Sequence, residues 1–326
     1  MNNWALTWSH GHGFVESVGA MLGPVHFKLA DGREVQPFFA YPWTEESLPP
    51  NEQPLTGLMV RGRGEWPCVP FGLCPDPEIL GWEHSIHGRC SNEDWQRLDD
   101  GKDPAFIRLG FIPDDASPIE SLVRDVRGVE GRAEVECRLT IKVRRACDLP
   151  IGLHPTLRMP RTVGALKLDP GKFQFGRTFP GEMVPGADCT APGEYFDDLK
   201  TAPRRGGGTV DLTAFPLAER TENLVMMCGS EGRLGATNTE DNYTVTLNWE
   251  AEKIPSWLMW VSNAGRPQWP WLNRHYALGI EPVCAYFDAG VTASCAPNPI
   301  SERGMATSLK LEPGRPFDLS YRMGVE

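Results

Sequence analysis

A run of strict two-residue alternation dominates the middle of the sequence. In AEVECRLTIKV, residues 133–143, apolar side chains occupy every second position and polar or charged side chains fill the positions between them. This period is typical of a β-strand that packs one face on a core, as in antiparallel sheets. The same alternation recurs in residues 244–249, TVTLNW, and around Pro313-Gly314, a pair that predicts a turn between two strands.

The remaining patterns agree with an all-β chain. Of the 326 residues, 34 are glycine and 30 are proline, or about 10% and 9% against averages near 7% and 5%, which implies many turns. Residues 254–261, IPSWLMWV, predict a strand buried on both faces. Residues 91–98, SNEDWQRL, fit either a short helix or a loop turn, and we expect residues 170–208 to form a long surface loop.

No internal repeat of about 20 to 50 residues is visible, which disfavours a propeller or a solenoid. The sequence therefore predicts a large antiparallel β-sandwich with few short helices, organised as one domain over residues 1–326.

Net charge and hydropathy disfavour nucleic-acid and membrane partners, and the cysteine content indicates a reducing compartment. The formal net charge is −11, which opposes binding to nucleic acid because that affinity comes largely from basic surfaces. No stretch of about 18 apolar residues and no signal peptide is visible, so we expect no membrane partner. The nine cysteines are odd in number and form no CxxC pair, as in reduced thiols of a cytoplasmic protein.

Two ionisable side chains stand in apolar surroundings near the middle and the end of the chain. Glu281 follows the apolar run ALGI and precedes a proline, and a glutamate is rarely buried unless it is paired or functional. His154 stands in LPIGLHPTL, just before a proline. It is either a core histidine satisfied by backbone hydrogen bonds or part of a site.

Besides the segments that contain His154 and Glu281, the segment GWEHSIHGR at residues 81–89 holds two histidines beside a carboxylate. Glu83, His84 and His87 are possible metal ligands, but their spacing does not match the helical H-E-x-x-H arrangement, so we expect no metal there. The segment HGHG at residues 10–13 is most simply a turn or a flexible entry segment.

Taken in order, these segments resemble the aldose 1-epimerase or galactose mutarotase-like superfamily. The resemblance covers about residues 55–325 and implies the large β-sandwich, or supersandwich, of that family. It rests on RGEWPCVPFG at residues 63–72, which resembles an Arg-Gly-Gly-x-Pro stretch ending in Phe-Gly, and on His87-Gly88, GLHP with His154, GIEP with Glu281, and the closing LEPGRPFDLSYR.

The resemblance implies an enzyme that interconverts sugar anomers by acid–base catalysis. Glu281 would remove the proton from O1, and His154 would protonate the ring oxygen. A carboxylate and an imidazole suffice for this chemistry, so no metal or redox cofactor is expected.

The same resemblance assigns binding roles. His87 would hydrogen-bond the sugar near its ring oxygen, Arg63 would bind hydroxyls or an anionic substituent, and Trp66, or else Trp82, would stack on the apolar face. The expected partner is a monosaccharide or sugar derivative, neutral or anionic. An anionic sugar requires convergence of several arginines that flank these segments: Arg61, Arg63, Arg89, Arg158 and Arg161.

Two other functions stay open at this point. The sequence departs from the family pattern at Glu65, where one branch usually has glycine, and at Arg89, which follows the His-Gly pair at once. A carbohydrate-binding or regulatory protein without turnover would tolerate such changes. The third alternative is a metal-dependent isomerase or lyase that uses His84 and His87.

Overall fold

β-Strands form most of the regular structure in the computed structural model, which describes residues 2–44, 46, 55 and 57–326. In these residues the strands are, in chain order, β1 (Asn3–Trp8), β2 (Gly11–Glu16), β3 (Leu22–Lys28), β4 (Glu34–Val35), β5 (Pro67–Cys68), β6 (Gln96–Arg97), β7 (Phe106–Phe111), β8 (Ile119–Gly128), β9 (Glu134–Val143), β10 (Cys147–Leu149), β11 (Ile151–Leu153), β12 (Thr156–Arg158), β13 (Leu166–Asp169), β14 (Phe175–Thr178), β15 (Tyr195–Phe196), β16 (Ala202–Pro203), β17 (Thr209–Val210), β18 (Ala214–Phe215), β19 (Thr221–Cys228), β20 (Arg233–Asn238), β21 (Tyr243–Trp249), β22 (Ser256–Asn263), β23 (Tyr276–Cys284), β24 (Leu309–Leu311) and β25 (Phe317–Val325).

Helical segments within the described residues are few and short. The α-helices are α1 (Gly57–Arg61), α2 (Pro77–Leu80) and α3 (Gly290–Cys295), and the 3-10 turns are Arg89–Ser91, Leu199–Thr201 and Ser301–Arg303. No helix in this part of the chain has the length and apolar character needed to cross a membrane. The prediction of an all-β sandwich with few short helices is confirmed.

Three antiparallel sheets carry the fold. In the described residues the largest sheet has the strand order β18-β13-β20-β21-β25-β9-β8-β7-β6. The second, which we call the site sheet, has the order β15-β14-β19-β22-β23-β11-β5, with β12 also paired to β23. Strands β1 to β4 form a separate sheet in sequence order. The organisation of residues 1–326 as a single domain stays a prediction.

Two hydrophobic clusters explain the sequence periods. The alternating side chains of β9 bury one face in the main core, beside inward-facing residues of the other two sheets. Strand β22 instead buries every residue: Trp257 and Met259 belong to the main core, whereas Leu258 and Trp260 belong to a second cluster on the opposite face of the site sheet. The predictions for residues 133–143 and 254–261 are therefore confirmed.

The structure settles the ambiguous segment at residues 91–98 in favour of the loop turn. The 3-10 turn ends at Ser91, and β6 begins at Gln96. The Ser91 hydroxyl donates to the His87 carbonyl at 2.7 Å and lies 3.0 Å from the Pro67 carbonyl, instead of capping a helix.

Three other local predictions need correction. Residues 170–208 are not only a surface loop, because they include β14 and β15 of the site sheet. Residues 10–13 are not only a turn, because β2 begins at Gly11. The turn at Pro313-Gly314 forms, closed by a Glu312–Arg315 bridge, but the strands around it separate: β24 pairs with β10, and β25 pairs with β9 and β21.

Candidate active site

Neighbouring strands of the site sheet place the predicted residues side by side. Trp260 lies on β22, Glu281 lies on β23, His154 follows β11, and Trp66 precedes β5, which is the order of these strands in the sheet. They border a cavity of about 260 Å³. The described lining residues with polar or aromatic groups are Tyr41, Trp66, His87, His154, Phe179, Glu182, Trp260, Arg266, Trp271, Glu281 and Asp288.

A glycine makes room for the carboxyl group of Glu281. Gly279 and Glu281 lie two residues apart on β23, so they share a face. A Cβ atom at Gly279 would lie 2.3 Å from Oε1 of Glu281 and 3.0 Å from Cβ of Trp260. The carboxyl group therefore folds back over Gly279 of its own strand, beside Trp260 of the neighbouring strand β22.

Backbone pairing holds His154 against Trp66. The amide of His154 donates to the carbonyl of Trp66 at 2.9 Å, and the imidazole stacks on the indole with ring centroids 4.1 Å apart and planes 18° apart. Trp66 is 1% exposed. His154 thus occupies one face of this indole. Trp66 lines the cavity and also supports the imidazole of His154.

The contacts of Thr156 favour one tautomer of His154. The Thr156 hydroxyl oxygen lies 3.4 Å from the His154 carbonyl oxygen and 3.0 Å from Nδ1. The tautomer with its proton on Nδ1 satisfies both contacts, because the hydroxyl then donates to the carbonyl and accepts from Nδ1, and it leaves Nε2 as the acceptor. Nε2 lies 3.4 Å from Oε1 of Glu281.

A strained turn presents His87 to the same cavity. His87 has a φ of +57°, and Gly88 has a φ of +78° with no space for a Cβ atom, which would lie 2.5 Å from the carbonyl oxygen of Val69. The amide of Gly72 donates to Nδ1 of His87 at 3.2 Å, which leaves the proton of the neutral ring on Nε2. The rings of His87 and His154 meet edge to face, 5.0 Å between centroids.

Burial favours the neutral forms of all three groups. Desolvation raises the pKa of Glu281 well above its usual value, and the negative charge of Asp288 adds to this shift. Desolvation lowers the pKa of His154 well below its usual value, with a smaller contribution from His87. Desolvation also lowers the pKa of His87 to about 3. Burial therefore favours a Glu281–His154 pair in which the carboxyl group holds the ionisable proton and the imidazole is neutral.

Four lining residues with a hydroxyl, carboxyl or guanidinium group were not singled out from the sequence: Tyr41, Glu182, Arg266 and Asp288. The carboxyl group of Asp288 borders the cavity, and burial raises its pKa to about 6. Arg266 donates from Nε to Glu222 at 2.8 Å and lies over the ring of Trp271, 4.9 Å from its centroid. An acid that follows the apolar run CAYF could have drawn attention to Asp288, whereas Arg266 lies in a loop with no comparable signal.

The structure places Arg63, a predicted substrate-binding residue, beside a buried carboxylate and outside the described cavity lining. Both Arg61 and Arg63 bind the buried carboxylate of Glu16, with Nη1 of Arg63 at 2.9 Å, and neither is among the described residues that line the cavity. These ion pairs form because strand β2, which ends at Glu16, brings that carboxylate beside both arginines.

The convergence of arginines that an anionic sugar would require is not seen in the described cavity lining. Of the described lining residues, the one arginine is Arg266. The other flanking arginines lie elsewhere, with Arg161 exposed, Arg158 bound to Asp241, and Arg89 bound to Glu93 and Asp114.

Glu83 shapes the loop before His87. Its carboxylate accepts hydrogen bonds from the backbone amides of His84, Ser85 and Arg89 at 2.9 to 3.0 Å. His84 is exposed and does not line the cavity in the described part of the chain. Trp82 is likewise outside the described lining and packs against the main core.

Solved structures with this architecture cover the whole chain. A candidate aldose 1-epimerase from Escherichia coli K12 is 14% identical, with 100% of this chain and 99% of that chain covered and a TM-score of 0.66. A galactose mutarotase-like protein from Lactobacillus casei is 15% identical, with 100% of both chains covered and a TM-score of 0.63. An aldose epimerase homologue from C. elegans is 12% identical, with 100% and 98% covered and a TM-score of 0.61.

No family model matches the sequence. No curated protein sequence matches it either. The structural likenesses lie at 11 to 15% identity, where they show the architecture and not the activity. The chain has the galactose mutarotase-like β-sandwich fold, as the order of its sequence motifs predicted.

Proposed function

We propose that this protein is an aldose 1-epimerase-type isomerase that interconverts the anomers of a monosaccharide. The observation that carries the proposal is the 3.4 Å contact between Nε2 of His154 and Oε1 of Glu281 at the wall of a cavity of sugar-ring size. The names of the solved structures with this fold support the same reaction class.

The single proton of the pair fits the reaction. Its transfer from Glu281 to Nε2 of His154 gives a carboxylate and an imidazolium. The carboxylate then takes the proton of the O1 hydroxyl, the bond between C1 and the ring oxygen breaks, and the released electron pair takes the proton from His154. The open-chain aldehyde is thus formed with Glu281 protonated and His154 neutral, as in the resting cavity.

Closure reverses these transfers after rotation about the bond between C1 and C2. The aldehyde then presents its other face to the attacking hydroxyl, so the opposite anomer forms, and no atom or electron is gained or lost. Each positioned acid or base typically contributes about 10² to 10⁴-fold.

The supporting residues take distinct roles in this proposal. His87, with the proton on Nε2, donates a hydrogen bond to a sugar oxygen, and its low pKa keeps it neutral beside the imidazolium. Trp66 holds the ring of His154 in place by stacking. Arg63 stays a predicted substrate-binding residue, but its ion pair with Glu16 disfavours that role.

The charges at the cavity favour a neutral monosaccharide over an anionic one. Three carboxyl groups, those of Glu182, Glu281 and Asp288, line the described wall, and Arg266 is already paired with the fully buried Glu222. An anionic substituent would meet these carboxyl groups without an unpaired arginine opposite it.

Exchange NMR and polarimetry test the proposal directly. The purified protein is assayed with neutral aldoses, a uronic acid and a hexose phosphate, and we expect acceleration for a neutral aldose. Glu281→Gln and His154→Asn should each lower kcat/KM by at least about 10²-fold, whereas His84→Asn, which changes an exposed imidazole outside the cavity, should not.

Two outcomes would reject this function. Full turnover in Glu281→Gln would exclude the acid–base assignment. Saturable sugar binding with no acceleration of exchange for any sugar would instead favour a non-catalytic carbohydrate-binding protein of the same fold.

A further inference from the structure

Three potential metal ligands share one face of the sheet formed by β1 to β4. His12 on β2 lies directly opposite His26 on β3 in the register. Glu34 on β4 lies opposite Lys28, two residues beyond His26, so it is diagonal to His26 on the same face. Their potential ligand atoms all lie within 4.8 Å of one another.

Glycines on both sides of His12 fix this arrangement. A Cβ atom at Gly11 would lie 2.4 Å from the ring of Trp8, and one at Gly13 would lie 2.6 Å from the carbonyl oxygen of Pro24. The two glycines therefore occupy the crowded face of β2, and His12 is turned to the open face. The imidazoles of His12 and His26 stack with centroids 4.9 Å apart and planes 4° apart.

The distances are within reach of metal coordination. Tetrahedral zinc bonds of about 2.0 to 2.2 Å place ligand atoms roughly 3.3 Å from one another. The three groups must therefore close by about 1.5 Å at most, and His12 and Glu34 are exposed, so side-chain rotation can supply this movement. Two imidazoles and one carboxylate leave a fourth position for water.

The surrounding charges do not oppose a cation strongly. Arg33 and Arg158 border the same groove as His26 and Glu34, but Arg33 is paired with Asp31 and Arg158 with Asp241. Lys28 is the nearest cation in the register.

We propose that His12, His26 and Glu34 form a site for a divalent transition-metal ion of the Zn²⁺ class. Imidazole nitrogen donors favour such ions over Mg²⁺ and Ca²⁺, which prefer all-oxygen sites. The ion would join β2, β3 and β4 and would stabilise this sheet against unfolding. The site is separate from the sugar cavity and does not depend on the proposed isomerase activity.

Calorimetric titration of tag-free protein with Zn²⁺ tests the site. We expect one Zn²⁺ per chain with micromolar affinity and no saturable binding of Mg²⁺. His12→Asn and His26→Asn should abolish this binding, and Glu34→Gln should weaken it at least about tenfold. His10→Asn, in the turn between β1 and β2, is the matched control and should bind as the unchanged protein does.

Thermal unfolding supplies a second readout. Zn²⁺ should raise the Tm of the unchanged protein and of His10→Asn but not that of His12→Asn, and the four variants should have similar Tm values without metal. The proposal is overturned by absence of saturation at millimolar Zn²⁺. It is also overturned if binding survives in His12→Asn and His26→Asn, or disappears in His84→Asn.

Discussion

The methyl group added by Gly279→Ala should reduce catalysis without unfolding the protein. The new Cβ atom would lie 2.3 Å from Oε1 of Glu281, whereas ordinary contact begins near 3.4 Å. The carboxyl oxygen must therefore move by about 1.1 Å. Gly279 does not have a left-handed φ, so alanine fits the strand backbone.

The magnitude follows from how sharply proton transfer depends on position. The carboxyl oxygen already lies 3.4 Å from Nε2 of His154, and a displacement of about 1 Å can cost about 10²-fold in rate. We therefore expect Gly279→Ala to lower kcat/KM about 10²-fold, or about 2.7 kcal/mol of transition-state stabilisation. The fold should survive because the oxygen at 2.3 Å is the end of a flexible side chain, and the 3.0 Å contact with Cβ of Trp260 needs to open by only a few tenths of an ångström.

Saturation-transfer NMR of anomer exchange gives kcat/KM, and thermal unfolding monitors the fold. Gly235→Ala is the matched control, since its Cβ atom on β20 would meet nothing closer than 3.7 Å. It should leave both kcat/KM and Tm nearly unchanged. Wild-type turnover in Gly279→Ala, with Tm unchanged, would refute the argument that carboxyl placement limits the rate.

Three further changes probe the same structure. Asp288→Asn removes a charge that helps to raise the pKa of Glu281, so the alkaline limb of the kcat/KM profile should move to lower pH; an unmoved limb would contradict this coupling. Thr156→Val removes the partner of Nδ1 of His154 and should lower kcat about 10 to 100-fold with little change in KM; unchanged kcat would exclude a positioning role. Arg124→Leu leaves a fully buried carboxylate without its cation and should cost about 3 to 5 kcal/mol in urea unfolding; a loss below about 1 kcal/mol would show that the pair contributes little.

The strands could be predicted because burial of one or both faces leaves a direct mark on the sequence. Strand β9 shows the period of two, and β22 shows an unbroken apolar run because each face meets a different cluster. The order of the strands within each sheet could not be predicted from such local patterns. Residues 170–208 contain few alternating positions because β14 and β15 are short, so their place in the site sheet depends on pairing with distant strands.

The candidate site was predictable in part for a related reason. Glu281 and His154 stand out because ionisable groups are costly in apolar segments, and the structure places them 3.4 Å apart. Arg63 was assigned to the substrate because a single sequence does not show which arginine is already paired, here with Glu16. Asp288 enters the cavity through a loop after β23. The apolar run before it indicates burial, but it does not indicate that the loop returns to the cavity.

Glu65, the departure from the family pattern, acquires a structural explanation. Its carboxylate is fully buried, pairs with the guanidinium of Arg124, and accepts a hydrogen bond from the Tyr321 hydroxyl at 2.8 Å. Its backbone bonds Leu22 in both directions. These contacts lie on the core side of the segment, whereas the next residue, Trp66, lines the cavity.

Glu65 and Trp66 are adjacent, and their side chains point to opposite sides of the chain, so Glu65 stabilises the core whereas Trp66 lines the cavity. Anchoring Glu65 on the core side fixes the backbone from which Trp66 reaches the opposite side. Trp66 in turn holds His154 through one backbone hydrogen bond and one ring stack. A glutamate at this position therefore does not argue against catalysis, because it leaves the substrate side of the segment unchanged and supports the residue that positions the proposed acid.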